Sequence, residues 1–170
     1  MNDGIIEKIV TKQTTIVEWL MRVGVVLIAL IVSFIAFAIP MISIFAPILV
    51  AGLLFLAWLV LGRTFIEYEY SFTEGDLNID AIYRQRKRKK IVTVNLKDRL
   101  DFMAPVNTED KTELNKNVNT VLYLASSKNC SNAWFINTRD EKGTKRIFFE
   151  PNERMVDAIR RCAPSKVKLN

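Results

Sequence analysis

Arg84-Gln85-Arg86-Lys87-Arg88-Lys89-Lys90 places six cations within seven residues, the densest concentration of one chemical type in the chain. Close to an anionic leaflet, each such residue contributes about 1 kcal/mol of attraction. The same charge density would displace counterions from a nucleic-acid backbone. Only Tyr83 lies beside the run as a stacking ring, so single-strand recognition is disfavoured. Arg84, Arg86, Lys87, Arg88, Lys89 and Lys90 are therefore the candidate residues for anionic lipid headgroups or an unidentified protein partner. The plainer alternative is a solvated charged turn that binds nothing.

Other reactive residue types form no recognisable constellation. Histidine is absent and the only cysteines are Cys130 and Cys162, too far apart for paired zinc ligands, so no metal site is expected. A disulfide between them stays open, although a cytoplasmic location would keep both reduced. Glu67 and Glu69 share one strand face and read as an outward polar surface rather than an acid and base pair. Ser126-Ser127-Lys128 has the types of a Ser/Lys nucleophile pair but stands at a strand end without a supporting motif. Trp134, Phe135, Phe148 and Phe149 read as packing residues, and no glycine-rich phosphate loop occurs. No catalytic residue and no cofactor are expected, so an enzyme ranks third among the readings.

The element that must position the basic run is a membrane anchor. From Val23 to Gly62 the chain runs 40 residues without one Asp, Glu, Lys or Arg, interrupted by Pro40 and Pro47. One crossing takes roughly 20 apolar residues, so this stretch is long enough to cross and return. Spans are expected at 19–39 and 42–61, within a transmembrane hairpin over 19–62 that follows an N-terminal segment, 1–18. Lys8, Lys12 and Arg22 precede the hairpin, and Arg63 and the basic run follow it, which predicts both termini in the cytoplasm of a multi-pass cell-membrane protein. Trp19 and Trp58 fall near the two cytoplasmic ends, where indole rings favour the headgroup region. Inside the spans, Ser33 and Ser43 are the only strong hydrogen-bonding side chains, a poor basis for an ion or proton pathway. Ala36-Phe37-Ala38 resembles a signal-peptidase site, but the apolar stretch continues long past it, against cleavage.

Beyond the hairpin, residues 63–170 alternate. Ile66, Tyr68, Tyr70 and Phe72 fall on one face of a strand, and Leu77, Ile79, Ala81 and Tyr83 on the face of a second, joined by a turn at Thr73-Glu74-Gly75-Asp76. Further strands are expected at 91–96, 100–104, 120–126, 132–138 and 144–150, with a loop over 107–118 and a turn at 140–143. The basic run falls between the second and third strands, as an exposed turn. Pro151 opens and Pro164 stops an amphipathic helix carrying Met155, Ile159 and Cys162. This 108-residue tail holds 21 Lys and Arg against 15 Asp and Glu, so without the run it would be neutral.

The fold class is thus a membrane α-helical hairpin plus an α+β domain of about seven strands with a C-terminal helix. That order resembles the pleckstrin-homology-like (PH-like) fold, and the resemblance implies a bent antiparallel sheet closed at one open end by the helix. Glu67-Tyr68-Glu69-Tyr70, Gly75-Asp76-Leu77-Asn78-Ile79-Asp80, Lys87-Arg88-Lys89-Lys90, Met103-Ala104-Pro105-Val106 and Phe148-Phe149-Glu150-Pro151-Asn152 resemble an uncharacterised family of small two-span bacterial membrane proteins with a cytoplasmic PH-like domain. The resemblance implies an interaction module, since PH-like domains often use a basic inter-strand loop for anionic headgroups. It implies no reaction. The expected function is a membrane-anchored, non-enzymatic module facing a protein or anionic lipid; the alternative is an accessory subunit of a larger membrane transporter or enzyme complex.

Overall fold

The computed structural model describes residues 5–62, 65–108, 111–141 and 143–169. Arg63 at the start of the expected domain, Lys142 in the expected turn, and the terminal Met1 and Asn170 lie outside the described residues. The chain divides into two compact units, residues 13–66 and residues 1–12 with 67–170.

The first unit is helical: α1 (Ile16–Ala38), α2 (Pro40–Ser43) and α3 (Ala46–Gly62). At the start of α1 the Thr15 amide donates to the Glu18 carboxylate at 3.1 Å, which satisfies one of the unpaired donors of the first turn. Ile39 is extended (φ −94°, ψ 113°) because the Pro40 ring disfavours helix at the preceding residue, and Pro40 then opens α2. The hydroxyls of Ser33 and Ser43 donate back to Ala29 and Pro40 carbonyls at 2.6 and 2.8 Å. Large apolar side chains face outward all round, with Phe34 77% and Ile48 75% exposed. By length and composition α1 is apolar enough to cross a membrane, whereas α3 has 17 residues. At 1.5 Å per residue α1 spans about 35 Å and α3 about 26 Å, on either side of a 30 Å hydrocarbon core.

Among the described residues the second unit contains eight strands: β1 (Ile6–Thr11), β2 (Ile66–Thr73), β3 (Asp76–Tyr83), β4 (Lys87–Asn95), β5 (Leu100–Pro105), β6 (Thr120–Tyr123), β7 (Trp134–Asp140) and β8 (Gly143–Phe149). They form two four-stranded sheets, ordered β1-β2-β3-β4 and β5-β7-β8-β6. Short helical turns α4 (Leu96–Arg99) and α5 (Thr112–Asn115) sit in the connections, and α6 (Glu153–Cys162) ends the fold. Asn152 caps α6, its side-chain oxygen accepting from the Met155 amide at 2.8 Å. Pro151 therefore precedes the cap.

Two expectations change. The sheet of about seven strands becomes two four-stranded sheets, and the N-terminal segment contributes a further strand, β1, paired antiparallel with β2 from Ile6↔Phe72 to Thr11↔Glu67. No local turn announces that pairing, since the whole helical unit intervenes. Nor is the pairing antiparallel throughout: β6 runs parallel to β8, with Thr120 opposite Lys145 and Tyr123 opposite Phe148.

The core joins both sheets and α6. Tyr70, Leu77, Ile79, Leu100, Met103, Ile136, Ile147, Phe149, Met155 and Ile159 are fully buried. Tyr70 meets the edge of Phe149 at 5.7 Å and donates its hydroxyl to the Leu124 carbonyl at 2.5 Å. Burial pushes that phenol above its ordinary pKa, so it stays a neutral donor.

Candidate functional site

The structure splits the basic run between a turn and a strand. Only Arg84, Gln85 and Arg86 form the turn, closed by a hydrogen bond from the Arg86 amide to the Tyr83 carbonyl at 3.1 Å. Arg84 and Gln85, the central residues of the turn from Tyr83 to Arg86, both take left-handed backbone conformations (φ 53° and 55°), which favour glycine or asparagine. The expectation of an exposed turn over the whole run is corrected here: Lys87, Arg88, Lys89 and Lys90 are strand residues of β4, opposite Tyr83, Ile82, Ala81 and Asp80. The alternating pattern continues through a stretch whose charges had suggested a loop, because an edge strand leaves those side chains in water. β4 is one edge of its sheet, and cations there block pairing with foreign strands.

Strand alternation then separates the cations. Arg88 and Lys90 join Glu7, Glu69, Ser71, Asn78 and Asp80 around a polar cleft of about 230 Å³ on the outer face of the sheet. Lys87 and Lys89 take the opposite face, beyond Tyr83 and Ala81. From Arg86 to Lys90 every residue is exposed.

Within the cleft, Arg88 Nη2 lies 2.6 Å from Glu69 Oε2, the arginine side chain 60% exposed and the glutamate side chain 9%. Glu69 was expected to face outward with Glu67. It keeps that outer face but is buried there, among Glu7 of β1, Asn78 and Asp80 of β3 and Arg88 of β4. Glu67, half-buried, accepts from Gln85 Nε2 at 3.4 Å. One cation of the run is thus committed to a buried carboxylate inside the fold.

The remaining reactive residues are engaged structurally. The Ser126 amide donates to Glu150 Oε1 at 2.5 Å, and Lys128 Nζ lies 5.3 Å over the Tyr123 ring, so the Ser/Lys types serve two separate contacts. Burial opposes ionisation of Glu150, but bonds from the Ser126 hydroxyl and amide and the Cys130 thiol, with the Lys8 charge, outweigh it and hold its pKa below the usual carboxylate value. Cys130 and Cys162 are free, half-buried thiols. Among the described residues no three His, Cys, Asp or Glu side chains are placed to hold a metal ion. Trp134 packs against the core, while Phe135 and Phe148 lie on the other face of their sheet with centroids 6.4 Å apart.

One organising residue had no sequence signal. Arg146 on β8 is buried and donates through Nε to Asn137 Oδ1 at 2.9 Å and through Nη2 to the carbonyls of Glu113 and Lys116 at 2.8 and 2.9 Å. Burial lowers its pKa, opposed by the nearby Glu113 charge. It fastens the 111–118 segment onto the outer face of the second sheet. Next to Lys145 it reads in sequence as one more surface cation.

A family model described as Bacterial PH-like domain (DUF6106) matches residues 2–169. No curated protein and no solved structure matches the chain.

Proposed function

The chain belongs to the bacterial PH-like domain family, and from that premise we propose that it is a membrane-anchored, non-catalytic interaction module. The observation that carries the anchoring is the apolar exterior of α1 and α3. Soluble proteins rarely expose a contiguous apolar patch beyond a few hundred Å², yet Phe34, Ile35, Phe37, Ile48, Leu54 and Phe55 all stand in the open. Hydrocarbon is the solvent that suits such helices. In this reading α1 and α3 both cross, α3 by local thinning of the bilayer, and both chain ends are cytoplasmic because Lys8, Lys12 and Arg22 precede the hairpin.

The cytoplasmic domain then meets anionic headgroups or a protein through Arg86, Lys87 and Lys89, with Arg84 and Lys90 beside them. Arg88 supports the surface through its pair with Glu69. The domain's tether raises the local concentration of headgroups, so weak attraction per cation suffices.

Topology is tested by reporter fusions at Pro40 and after Asn170: extracytoplasmic activity at Pro40 and cytoplasmic activity at Asn170 are expected, and the reverse at Asn170 overturns the hairpin. The surface is tested on the full chain, since a fragment starting at residue 63 would lack β1. Acylation of Lys87 and Lys89 is compared in nanodiscs of anionic and of neutral lipid. Slower labelling in anionic discs that recovers at high salt supports headgroup contact; equal labelling excludes it.

A further inference from the structure

We infer that the free edge of β6 is a docking site for an extended segment of another protein, which adds to the second sheet as a further strand and bears an acidic residue toward Lys128. This rests on the reading of the chain as an interaction module, but it assigns a different surface from the basic run.

The sheet edges differ in how they are guarded. β4 carries Lys87, Arg88, Lys89 and Lys90, and β1 carries Glu7 and Lys8. The outer side of β5 is occupied by the chain itself: the Met103 amide donates to the Lys166 carbonyl and the Lys168 amide to the Met103 carbonyl, both at 2.9 Å. β6 reads Thr-Val-Leu-Tyr, pairs on one side with β8, and has no strand on its other side among the described residues. From Asn117 to Ser127 the chain has no charged residue at all. An uncharged, exposed edge is a template for main-chain pairing.

The strand is held ready. At its start the Asn119 amide donates to the Thr144 carbonyl at 3.0 Å, while Asn119 Oδ1 accepts from the Thr144 amide and hydroxyl, each at 2.9 Å. At its end the Leu124 amide donates to the Phe148 carbonyl at 2.8 Å. Little ordering therefore opposes the addition of a strand. Val121 and Tyr123, 42% and 47% exposed, offer apolar surface on one face, and Tyr123 stacks on Phe148 at 4.7 Å with an interplanar angle of 2°. An incoming strand with β-branched or aromatic residues at alternate positions covers this face.

Charge selects the occupant. Lys128 Nζ lies 5.3 Å over the Tyr123 ring at the end of the strand, where an acidic residue on a foreign strand is attracted to it. A second copy pairing through β6 brings no carboxylate there, because residues 117–127 carry no charge.

The test uses the full chain in neutral-lipid nanodiscs with the fluorescent peptide Ser-Glu-Val-Thr-Val-Tyr-Glu-Ser. Saturable binding is expected, with slowed amide exchange at Thr120–Tyr123, at least tenfold weakening by Val121→Lys, and a preference for a Lys-for-Glu peptide in Lys128→Glu. Val121 is exposed, so thermal unfolding should hardly move and serves as the folding control. Arg86, Lys87 and Lys89→Gln should leave peptide binding intact even if it removes headgroup contact, which separates this site from the basic surface. The inference is overturned by absence of binding, by unchanged affinity in Val121→Lys, by loss of binding in the Gln variant, or by exchange protection of β6 that depends on protein concentration without peptide. The last outcome would make the occupant a second copy.

Discussion

Arg88 and Arg146 are both strand arginines of the same domain, and they teach opposite lessons about charge. Arg88 sits in the most cationic stretch of the chain, yet its nearest partner is a buried carboxylate, Glu69. Arg146 lies outside the basic run, beside Lys145, and is itself buried, holding Asn137 and two backbone carbonyls of the 111–118 segment. Local density of charge marks where water is, whereas the buried arginine marks where the fold depends on a fork of donors that only a guanidinium offers.

The comparison breaks first at Arg146. Arg146→Met takes the guanidinium donors from the Asn137 oxygen and the Lys116 carbonyl, while the Glu113 carbonyl keeps its bond from Asn137 Nδ2 at 3.0 Å, and a loss of about 3 kcal/mol in unfolding free energy is expected by denaturant titration. Arg146→Lys should recover only part of that, because an ammonium cannot reproduce the fork. If Arg146→Met costs no more than a surface substitution, the 111–118 segment is not held as described.

Arg88 should show a smaller effect. Arg88→Gln leaves Glu69 buried without its charge partner, but solvent reaches the exposed guanidinium site, so about 1–2 kcal/mol is expected rather than the larger cost of a fully buried pair. Adding Glu69→Gln should return most of it, a positive coupling readable by a double-mutant cycle. Additive effects would mean that the pair contributes nothing beyond proximity.

The smallest effect belongs to the neighbours. Replacing Arg86, Lys87 and Lys89 together by Gln should change stability by no more than about 0.5 kcal/mol per site while leaving Arg88 in place. A larger loss would show that these cations are also structural, and would sharpen the contrast into one between both arginines and the rest of the run.

Much of the domain was legible from alternation. Ile66 to Phe72 and Leu77 to Tyr83 announce two strands, and Glu74-Gly75 the turn between them, because a half-buried strand and a left-handed turn each leave a short-range pattern. Where the pattern was local and chemical, reading it sufficed. β1 was not legible, since Ile6 to Thr11 pair with a strand that follows the whole helical unit in sequence. The candidate site was legible in composition only. Six cations were visible, but their division between two faces of β4, and the commitment of Arg88, follow from register with β3 and from Glu69 on β2.

By itself the sequence determined the apolar character of residues 23–62, the alternating strands, the helix after Pro151 and the basic run, because each depends on neighbours within a few residues. Only the tertiary structure decided that the N-terminal segment completes a sheet, that β6 lies parallel to β8 with an uncharged edge, and which arginine is a tie and which a surface charge. Those outcomes depend on what distant strands bring alongside, and burial is a property of the assembled sheets rather than of any stretch of chain.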